Sequence, residues 1–331
     1  ERYMSEIVIN AQNLSKNFYN FDSRLPFIKR FLKRNQITIR AVQDISFTIK
    51  RGSIVGFIGS NGAGKSTTIK MLTGTLYPSS GKLEVNGEIP FKRSINFRKK
   101  ISIVVGNKLQ LFQDVSAMDY FQLIGTLYEV EPAILQERIQ ELSNLLNVKD
   151  QLYQQVRTLS LGQKMKMEFI AASLTSPEIL FLDEPTIGLD IQSKKDIRTF
   201  LKKMNEECHT TIILTSHDMD DISSVCDELI VIDKGKIILQ ESMDVILSKF
   251  SDFKYLKIKM TLDLVPELCS VKGVVVISQT KSECILKIPR DFVFETLESI
   301  NKLVDIEDFE ISNLSLEEII LQNYFTKKEH N

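Results

Sequence analysis

The chain has 331 residues, of which 43% are hydrophobic, and its formal net charge is −1. This length is enough for one large α/β domain and a smaller one, and the near-neutral charge argues against a nucleic-acid partner. No apolar run approaches the roughly 18 residues of a membrane span, and the four cysteines form no C-x-x-C pair. We therefore expect a cytoplasmic protein with reduced thiols.

The first part of the chain, residues 4–58, is predicted to be rich in strands with a basic insertion at about 21–38. Residues 24–40 contain six Lys or Arg and no acid, and Pro26 suits a helix start. A basic amphipathic helix here would lie on an anionic membrane surface or dock on a partner. The alternative is a solvated insertion that packs on its own domain. The predicted strands cover 6–10, 39–42 and 46–50.

A phosphate-binding loop follows, because Gly59 to Ser66 fits the pattern G-x-x-x-x-G-K-S/T. A buried strand is predicted before it over 54–58, and a helix after it over 67–72. Glycines let successive N–H groups point at an anion, next to the positive end of the helix dipole. Lys65 would reach the β- and γ-phosphates, and Ser66 would hold Mg²⁺. The predicted nucleotide-binding residues of this loop are Gly59, Ser60, Asn61, Gly62, Ala63, Gly64, Lys65, Ser66 and Thr67.

Beyond the loop, short apolar strands alternate with helical segments, which indicates an α/β fold with a buried parallel sheet. The helical pattern is longest from about Ala117 to Asn147, and another helix is predicted over 193–207. A hairpin at 229–240 closes the alternation. The predicted strands between these features cover 82–86, 101–105, 179–182 and 211–215.

The pattern changes after Leu247, so we predict a nucleotide-binding domain over 4–247 and an accessory α+β domain over 251–331. The accessory domain would contain an antiparallel sheet. Its predicted strands cover 255–260, 271–277, 284–288 and 306–311, and its predicted helices cover 292–303 and 316–324.

Two adjacent carboxylates, Asp183 and Glu184, end the apolar strand that begins at Ile179. Ligands of open α/β sheets gather at the carboxyl ends of the strands. Asp183 is then placed to hold Mg²⁺, and Glu184 to orient and deprotonate an attacking water. Alone, such a pair is also found in ordinary strand-to-loop turns, but the phosphate loop makes the functional interpretation the stronger one.

The segment Leu159-Ser160-Leu161-Gly162-Gln163 precedes Asp183 by about 20 residues and opens an amphipathic helix. With these motifs the chain resembles the ATP-binding-cassette (ABC) ATPases over about residues 4–245, because that family has LSGGQ just upstream of its acidic strand. Asp183 to Asp190 resembles the stretch from Walker B to the D-loop, and Ser216-His217-Asp218 resembles the switch histidine.

The resemblance implies a P-loop NTPase fold of the ABC type. It would comprise a RecA-like core, an antiparallel β subdomain and a helical subdomain at about 108–176. It also implies ATP and Mg²⁺ as ligands and a head-to-tail dimer with a second copy of an ABC ATPase, most simply a homodimer. The implied catalytic residues are Glu184, His217 and Lys65, the implied metal ligands are Ser66, Asp183 and Asn107, and the further nucleotide contacts are Phe18, Asn107, Ser160, Gly162, Gln163 and Asp190.

Some of these assignments have alternatives or depart from the family pattern. Phe18 would stack on adenine, or it would be an aromatic residue of the core. Leu161 occupies a position that is Gly in the consensus, but Ser160 keeps its hydroxyl. Asn107 stands where the family has the Q-loop Gln, and Gln110 lies close by in the sequence.

Three segments make the chain similar to the ATPases of bacterial ABC-2-type exporters. They are the stretch around Leu159, the basic insertion, and Asp218 to Ile222. Near the end of the chain, residues 314–319 also resemble the C-terminal extensions of such ATPases. The resemblance implies separate ABC-2-type permease subunits and a peripheral position at the cytoplasmic face of a bacterial membrane.

Two other functions stay open. The first is the ATPase of an importer, with the C-terminal domain as a regulatory sensor; that domain could also serve dimerisation. The second is a non-transport ABC ATPase that acts on DNA or ribosomes. It is disfavoured because only 117 residues separate Lys65 from Asp183 and the chain has a single phosphate loop.

Overall fold

The computed structural model of the protein describes residues 6–21, 36–216, 218–259, 274–280, 283–303, 308–313 and 316–320. The chain divides into two compact units, Glu1–Glu241 and Ser242–Asn331. The predicted basic insertion, apart from its two ends, lies outside the described residues, and so does His217. Within the described part of the chain, no helix combines the length and the apolarity needed to cross a membrane.

The first unit is built on a six-stranded sheet and a three-stranded sheet, joined by helices. Its strands are β1 (Ile7–Phe21), β2 (Gln36–Lys50), β3 (Ile54–Ile58), β4 (Ser80–Val85), β5 (Ile101–Val105), β6 (Ile179–Asp183), β7 (Thr211–Thr215), β8 (Glu228–Asp233) and β9 (Lys236–Ser242). Its helices are α1 (Lys65–Leu72), α2 (Ile95–Lys100), α3 (Ala117–Leu127), α4 (Pro132–Leu145), α5 (Leu161–Ser173), α6 (Ile191–Cys208) and α7 (Met219–Val225).

The six-stranded sheet has the order β5-β6-β7-β3-β8-β9, and its first five strands pair in parallel. Strands β3 and β7 are buried along their whole length. Continuous runs of Val, Ile and Leu are expected for strands that are covered on both faces. Because parallel strands end at one edge of the sheet, the loops after β3, β5, β6 and β7 meet there.

The three-stranded antiparallel sheet has the order β2-β1-β4. It shares an apolar core with the larger sheet, in which the rings of Phe47 and Phe57 lie 5.4 Å apart edge to face. Strands β1 and β2 pair from Ile7 with Lys50 to Phe21 with Gln36. Phe21 and residues 36–38, which the sequence predicted to be part of the insertion, are therefore strand residues.

The helical pattern predicted from Ala117 to Asn147 forms two helices, α3 and α4. The break falls at 128–131, where Glu129 has a φ of +58°. Pro132, which lacks an N–H and favours the first turn of a helix, begins α4. Helix α5 then runs between α3, α4 and the sheet with most of its residues buried.

The second unit contains a four-stranded antiparallel sheet of order β11-β12-β10-β13. Alternate residues of the sheet pack with helix α9 around Leu256, Leu286 and Ile300, all fully buried. The elements are α8 (Met243–Ser251), β10 (Phe253–Lys259), β11 (Val275–Gln279), β12 (Glu283–Pro289), α9 (Val293–Leu303), β13 (Asp308–Ser312) and α10 (Leu316–Ile320). The rest of the helix predicted over 316–324 lies outside the described residues.

Candidate nucleotide-binding and catalytic site

The loop between β3 and α1 needs glycine at two positions. A Cβ at Gly59 would lie 2.1 Å from the carbonyl oxygen of Ile232. Gly64 has a φ of +112°, and its Cβ would lie 2.6 Å from the carbonyl oxygen of Ala41. A side chain at either position would clash with backbone atoms, so this loop conformation requires these glycines.

Helix α1 begins at Lys65 with Gly64 as its N-cap, and no described side chain caps it. Its first turn contains no acidic residue. The first N–H groups of a helix lack partners within the helix and carry the positive end of its dipole. The start of α1 is therefore suited to a phosphate group.

Lys65 is the cation of this loop and is only 5% exposed. Its Nζ donates to the carbonyl oxygens of Gly59 (2.6 Å) and Ser60 (3.2 Å). Burial lowers the pKa of Lys65, and the nearby charges of Glu184 and Asp183 act in the opposite direction. The ammonium group thus lies between the loop and the two carboxylates of β6.

Hydroxyl groups from two elements, α1 and β7, converge on Asp183 at the end of β6. The hydroxyl of Ser66 donates to Asp183 Oδ1 (3.0 Å), and the hydroxyl of Thr215 donates to the same oxygen (2.8 Å). No group of three His, Cys, Asp or Glu that could hold a metal ion occurs within the described ranges. A carboxylate beside a hydroxyl fits Mg²⁺, which takes few protein ligands and completes its shell with phosphate and water oxygens.

Glu184 follows Asp183 in a left-handed backbone conformation with a φ of +53°. Its N–H donates to both the hydroxyl (3.0 Å) and the carbonyl oxygen (3.1 Å) of Thr215. These two bonds hold the turn against β7. Such backbone conformations are uncommon for residues with a side chain and occur often at functional sites.

The segment Ser160 to Gln163 forms a capping box at the start of α5. The hydroxyl of Ser160 accepts from the N–H of Gln163 (3.2 Å), and the Gln163 side chain accepts from the N–H of Ser160 (2.9 Å). Ser160 is exposed, and Leu161 next to it is 46% exposed. Ser160 is therefore the N-cap of α5, the helix that the sequence predicted to open at this segment.

Gly162 lies directly against the start of α6. Asp190 caps α6 by accepting from the N–H (2.8 Å) and the hydroxyl (2.7 Å) of Ser193. These bonds lower the pKa of Asp190. A Cβ at Gly162 would lie 2.2 Å from Ser193 Oγ. The starts of α5 and α6 are therefore in close contact.

The loop after β5 passes next to Glu184. The N–H of Gly106 donates to the carbonyl of Asp183 (2.9 Å), and a Cβ at Gly106 would lie 1.8 Å from the carbonyl oxygen of Glu184. Asn107 is exposed, and it lines the same cleft as Ser66 and Asp183. This cleft has a volume of about 790 Å³.

No hydrogen bond between described residues joins the other predicted site residues to the group formed by the phosphate loop, Asp183 and Glu184. Gln110 donates through its side chain to the carbonyl of Ile103 (2.9 Å), so its amide group already has a partner. Phe18 lies on β1, 40% exposed, with Lys16 Nζ 5.3 Å from its ring centre. It is not a core residue, which removes the alternative that the sequence left open for it. His217 lies outside the described residues.

Sequence reasoning missed several residues that hold the site together. Two features of the sequence could have identified the first two of them: Thr215 is a polar residue at the end of an apolar strand, and Glu168 is a lone acid in an apolar part of α5. Asp221, 1% exposed, accepts from Ser216 (3.3 Å) and from Thr186, and it pairs with Arg198. It thus links the segments that follow β6 and β7.

Comparisons with known proteins place this geometry in context. A family model described as "ABC transporter" matches residues 42–187. The ABC transporter ATP-binding protein NatA of Bacillus subtilis (strain 168) is 32% identical over 216 residues, 65% of this chain and 87% of NatA. The linearmycin resistance ATP-binding protein LnrL of the same organism is 34% identical over 60% of this chain. The chain spans 63% of LnrL, which is less than two thirds of that relative.

Solved structures give the same result for the fold. The chain is similar to cbiO1 from Clostridium perfringens, part of the ABC transporter complex cbiONQ. The TM-score is 0.61 at 26% identity, over 74% of this chain and 92% of cbiO1. It is also similar to the dimeric ATP-binding cassette MJ0796 in a post-hydrolysis state with ADP and Pi. There the TM-score is 0.60 at 21% identity, over 71% of this chain and 98% of the other.

Proposed function

Because the chain belongs to the ABC transporter ATP-binding proteins and is an ATPase, we propose that it energises export through separate membrane permeases. The observation that supports this proposal most directly is the cluster of side chains at the ends of β3 and β6. There, at one edge of the sheet, lie Lys65, Ser66, Asp183 and Glu184. Resemblance to bacterial ABC-2-type exporters and to a resistance protein supports the outward direction. The site of action would be the cytoplasmic face of a bacterial membrane.

In the proposed binding mode, the N–H groups of residues 59–67 surround the ATP phosphates and Lys65 contacts the β- and γ-phosphates. Ser66 and Asp183 would hold Mg²⁺, with Asn107 as a further ligand, and the ion would offset the phosphate charge. Phe18 is exposed on β1 and would stack on the adenine.

In the proposed reaction, Glu184 accepts a proton from the attacking water and His217 positions that water against the γ-phosphate. Lys65 stabilises the negative charge that develops on the transferred phosphoryl group. Because Glu184 is fixed through its N–H to Thr215, its carboxylate starts from a defined backbone position.

The segment Leu159 to Gln163, which we call the signature segment, would act on a second copy of the chain. Ser160 and Gly162 lie at the start of α5, where the helix dipole is positive and favours an anion. In a head-to-tail dimer this end would face the γ-phosphate of the other copy, with Gln163 and Asp190 beside it. A homodimer would then contain two complete sites.

A permease would dock near residues 107–146, where the cleft of about 790 Å³ opens beside Asn107. ATP-driven dimerisation would move this region and thereby the permease. The importer alternative keeps one supporting observation, the separate α+β unit from Ser242 onward. Binding of a small molecule to that unit would favour it.

The test is affinity purification of the Glu184→Gln chain with MgATP from detergent-solubilised native membranes, followed by mass spectrometry. We expect one or two polytopic membrane proteins in near-stoichiometric amounts, and stimulation of the wild-type ATPase by them after reconstitution. Lys65→Ala, which should bind ATP poorly, is the matched control. Recovery of ribosomes or nucleic acid instead of membrane proteins would contradict transport.

A further inference from the structure

Glu168 is a buried carboxylate that the proposed reaction does not use. It lies on α5, is 4% exposed, and takes part in no ion pair with another described residue. Its Oε1 accepts the N–H of Leu111 (2.8 Å) and the N–H of Gln110. A buried carboxylate without a cation is costly, so these two bonds identify what the side chain does: it holds the loop after β5.

The other end of that loop is bonded to the turn formed by Asp183 and Glu184. Gly106 bonds to the carbonyl of Asp183 (2.9 Å) and leaves no room for a Cβ against the carbonyl of Glu184. Residues 106–111 therefore connect Glu184 at one end with Glu168 at the other. Asn107 lies within this connection.

Helix α5 joins Glu168 to the signature segment. Ser160 caps the helix eight residues earlier, about 12 Å along the axis at 1.5 Å per residue. Packing holds this stretch as a rigid rod, because Met165, Met167 and Phe169 are fully buried. A displacement of the helix start on contact with a phosphate is then passed on to Glu168.

We propose that Glu168 is a positioning residue that couples the two nucleotide sites of the dimer. When Ser160 engages the ATP held by the partner copy, α5 moves, and Glu168 carries residues 106–111 and the backbone of Glu184 with it. This inference rests on the proposed function, since it assumes that Glu184 is the base and that the chains pair head to tail.

The role requires a hydrogen-bond acceptor at Glu168 and not a negative charge. Burial raises the pKa of Glu168, against the effect of the two N–H donors, so the charge is not what the site favours. A Gln side chain offers an oxygen at the same place, whereas Leu has the same approximate size and no acceptor. Glu168→Gln and Glu168→Leu therefore separate the coupling role from general packing.

The experiment measures steady-state ATPase of the full chain against MgATP concentration. For Glu168→Leu we expect kcat to fall about tenfold, as loss of a positioning hydrogen bond allows, with KM within about twofold and a Hill coefficient that falls toward one. For Glu168→Gln, the kcat, the KM and the Hill coefficient should each stay within about twofold of the wild-type value. Asp227→Ala is the matched control, because Asp227 also accepts a backbone N–H, that of Ile54 (2.9 Å), at the far end of β3.

Hydrogen exchange of the same variants checks the contact itself. In Glu168→Leu the amides of Gln110 and Leu111 should exchange faster, while residues 160–167 stay as protected as in wild type. The proposal is overturned if Glu168→Leu lowers kcat no more than Asp227→Ala does, or if Glu168→Gln is as impaired as Glu168→Leu. A wild-type chain that binds no MgATP would overturn the proposed function as well, so the two failures are distinguishable.

Discussion

Glu184 combines an unfavourable backbone conformation with two hydrogen bonds that maintain it. A φ of +53° is costly for a residue with a Cβ, by about 1–3 kcal/mol. The N–H of Glu184 donates to both the hydroxyl and the carbonyl oxygen of Thr215, and these two bonds offset the cost and fix the turn just beyond Asp183. The catalytic role that we propose for Glu184 explains why the chain retains such a turn.

Replacing Glu184 with Gln should remove hydrolysis and keep ATP binding. The amide has nearly the same shape but cannot accept a proton, and a general base contributes about 10²–10⁴-fold to a rate. Phosphate release should therefore fall by at least about 100-fold, while a fluorescent ATP analogue binds as to wild type. Gel filtration with MgATP should show a stable dimer. Undiminished phosphate release would refute the assignment of the base.

The buried carboxyl of Glu168 makes stability depend on pH with a defined sign. Burial raises its pKa in the folded chain above the ordinary value. Between the ordinary and the raised pKa the folded state therefore holds more protons than the unfolded state, and the free energy of unfolding decreases as pH rises through this window.

Glu168→Gln does not titrate, so its free energy of unfolding relative to wild type should increase as pH rises from about 4.5 toward neutrality. Urea unfolding of both proteins at several pH values in this interval measures the difference. A difference that stays constant or decreases with pH would show that the carboxyl is not destabilised in its buried position.

The residues that the sequence identified are those whose roles follow from neighbours in the chain. Lys65, Ser66, Asp183 and Glu184 belong to contiguous motifs beside recognisable strands. Glu168 was missed because its partners, Gln110 and Leu111, are 58 and 57 residues away. Its function depends on packing between helix and loop, which no local pattern of residues encodes.

At the scale of elements, the starts of α5 and α6 form a single packed unit. Ser160 and Asp190 cap the two helices, Gly162 permits their close approach, and a buried ion pair joins Lys166 to Asp196 (2.5 Å). Further along, the rings of Phe169 and Phe200 lie 5.7 Å apart. The signature segment therefore cannot shift without α6.

Gly162→Ala should test this contact. The added methyl would lie 2.2 Å from Ser193 Oγ and 3.1 Å from Ser193 Cβ, and overpacking of this kind costs about 1–3 kcal/mol. Introduced into a Ser193→Gly background, the same change should cost about half as much or less, because both Ser193 atoms are gone and only Asp190 Oδ2, at 3.1 Å, still lies close to the methyl. Thermal unfolding of the four proteins gives the coupling energy, and additive effects would contradict the close contact.

Strands β1 and β2 show why element boundaries were harder to predict than elements. The sequence indicated three short strands, whereas the structure has two strands of 15 residues each. Asn13 and Asp44 resemble turn residues and do have positive φ, but they lie at register shifts within the pair. Their N–H groups bond to Ser46 and Ser15 across the sheet, so pairing continues past them.

At the scale of the first unit, the cleft beside Asn107 has a distinct charge. Its lining combines an apolar surface, with Ile101, Ile103 and Ile124, and a group of exposed cations. None of these cations takes part in an ion pair with another residue that the structure describes. The cations are Lys70, Arg93, Arg98 and Lys108. A permease segment that docks here would need an apolar face flanked by acidic residues.

Reversing two of these charges should therefore weaken coupling to the permease and spare the ATPase itself. In the Arg93→Glu, Arg98→Glu double variant we expect basal hydrolysis within about twofold of wild type and permease stimulation reduced about tenfold or more at low salt. The difference should narrow as salt rises, because exposed charges are screened. Lys82→Glu, an exposed change on β4 outside the cleft, is the control and should keep full stimulation. Equal stimulation of both variants would place the permease contact elsewhere on the chain.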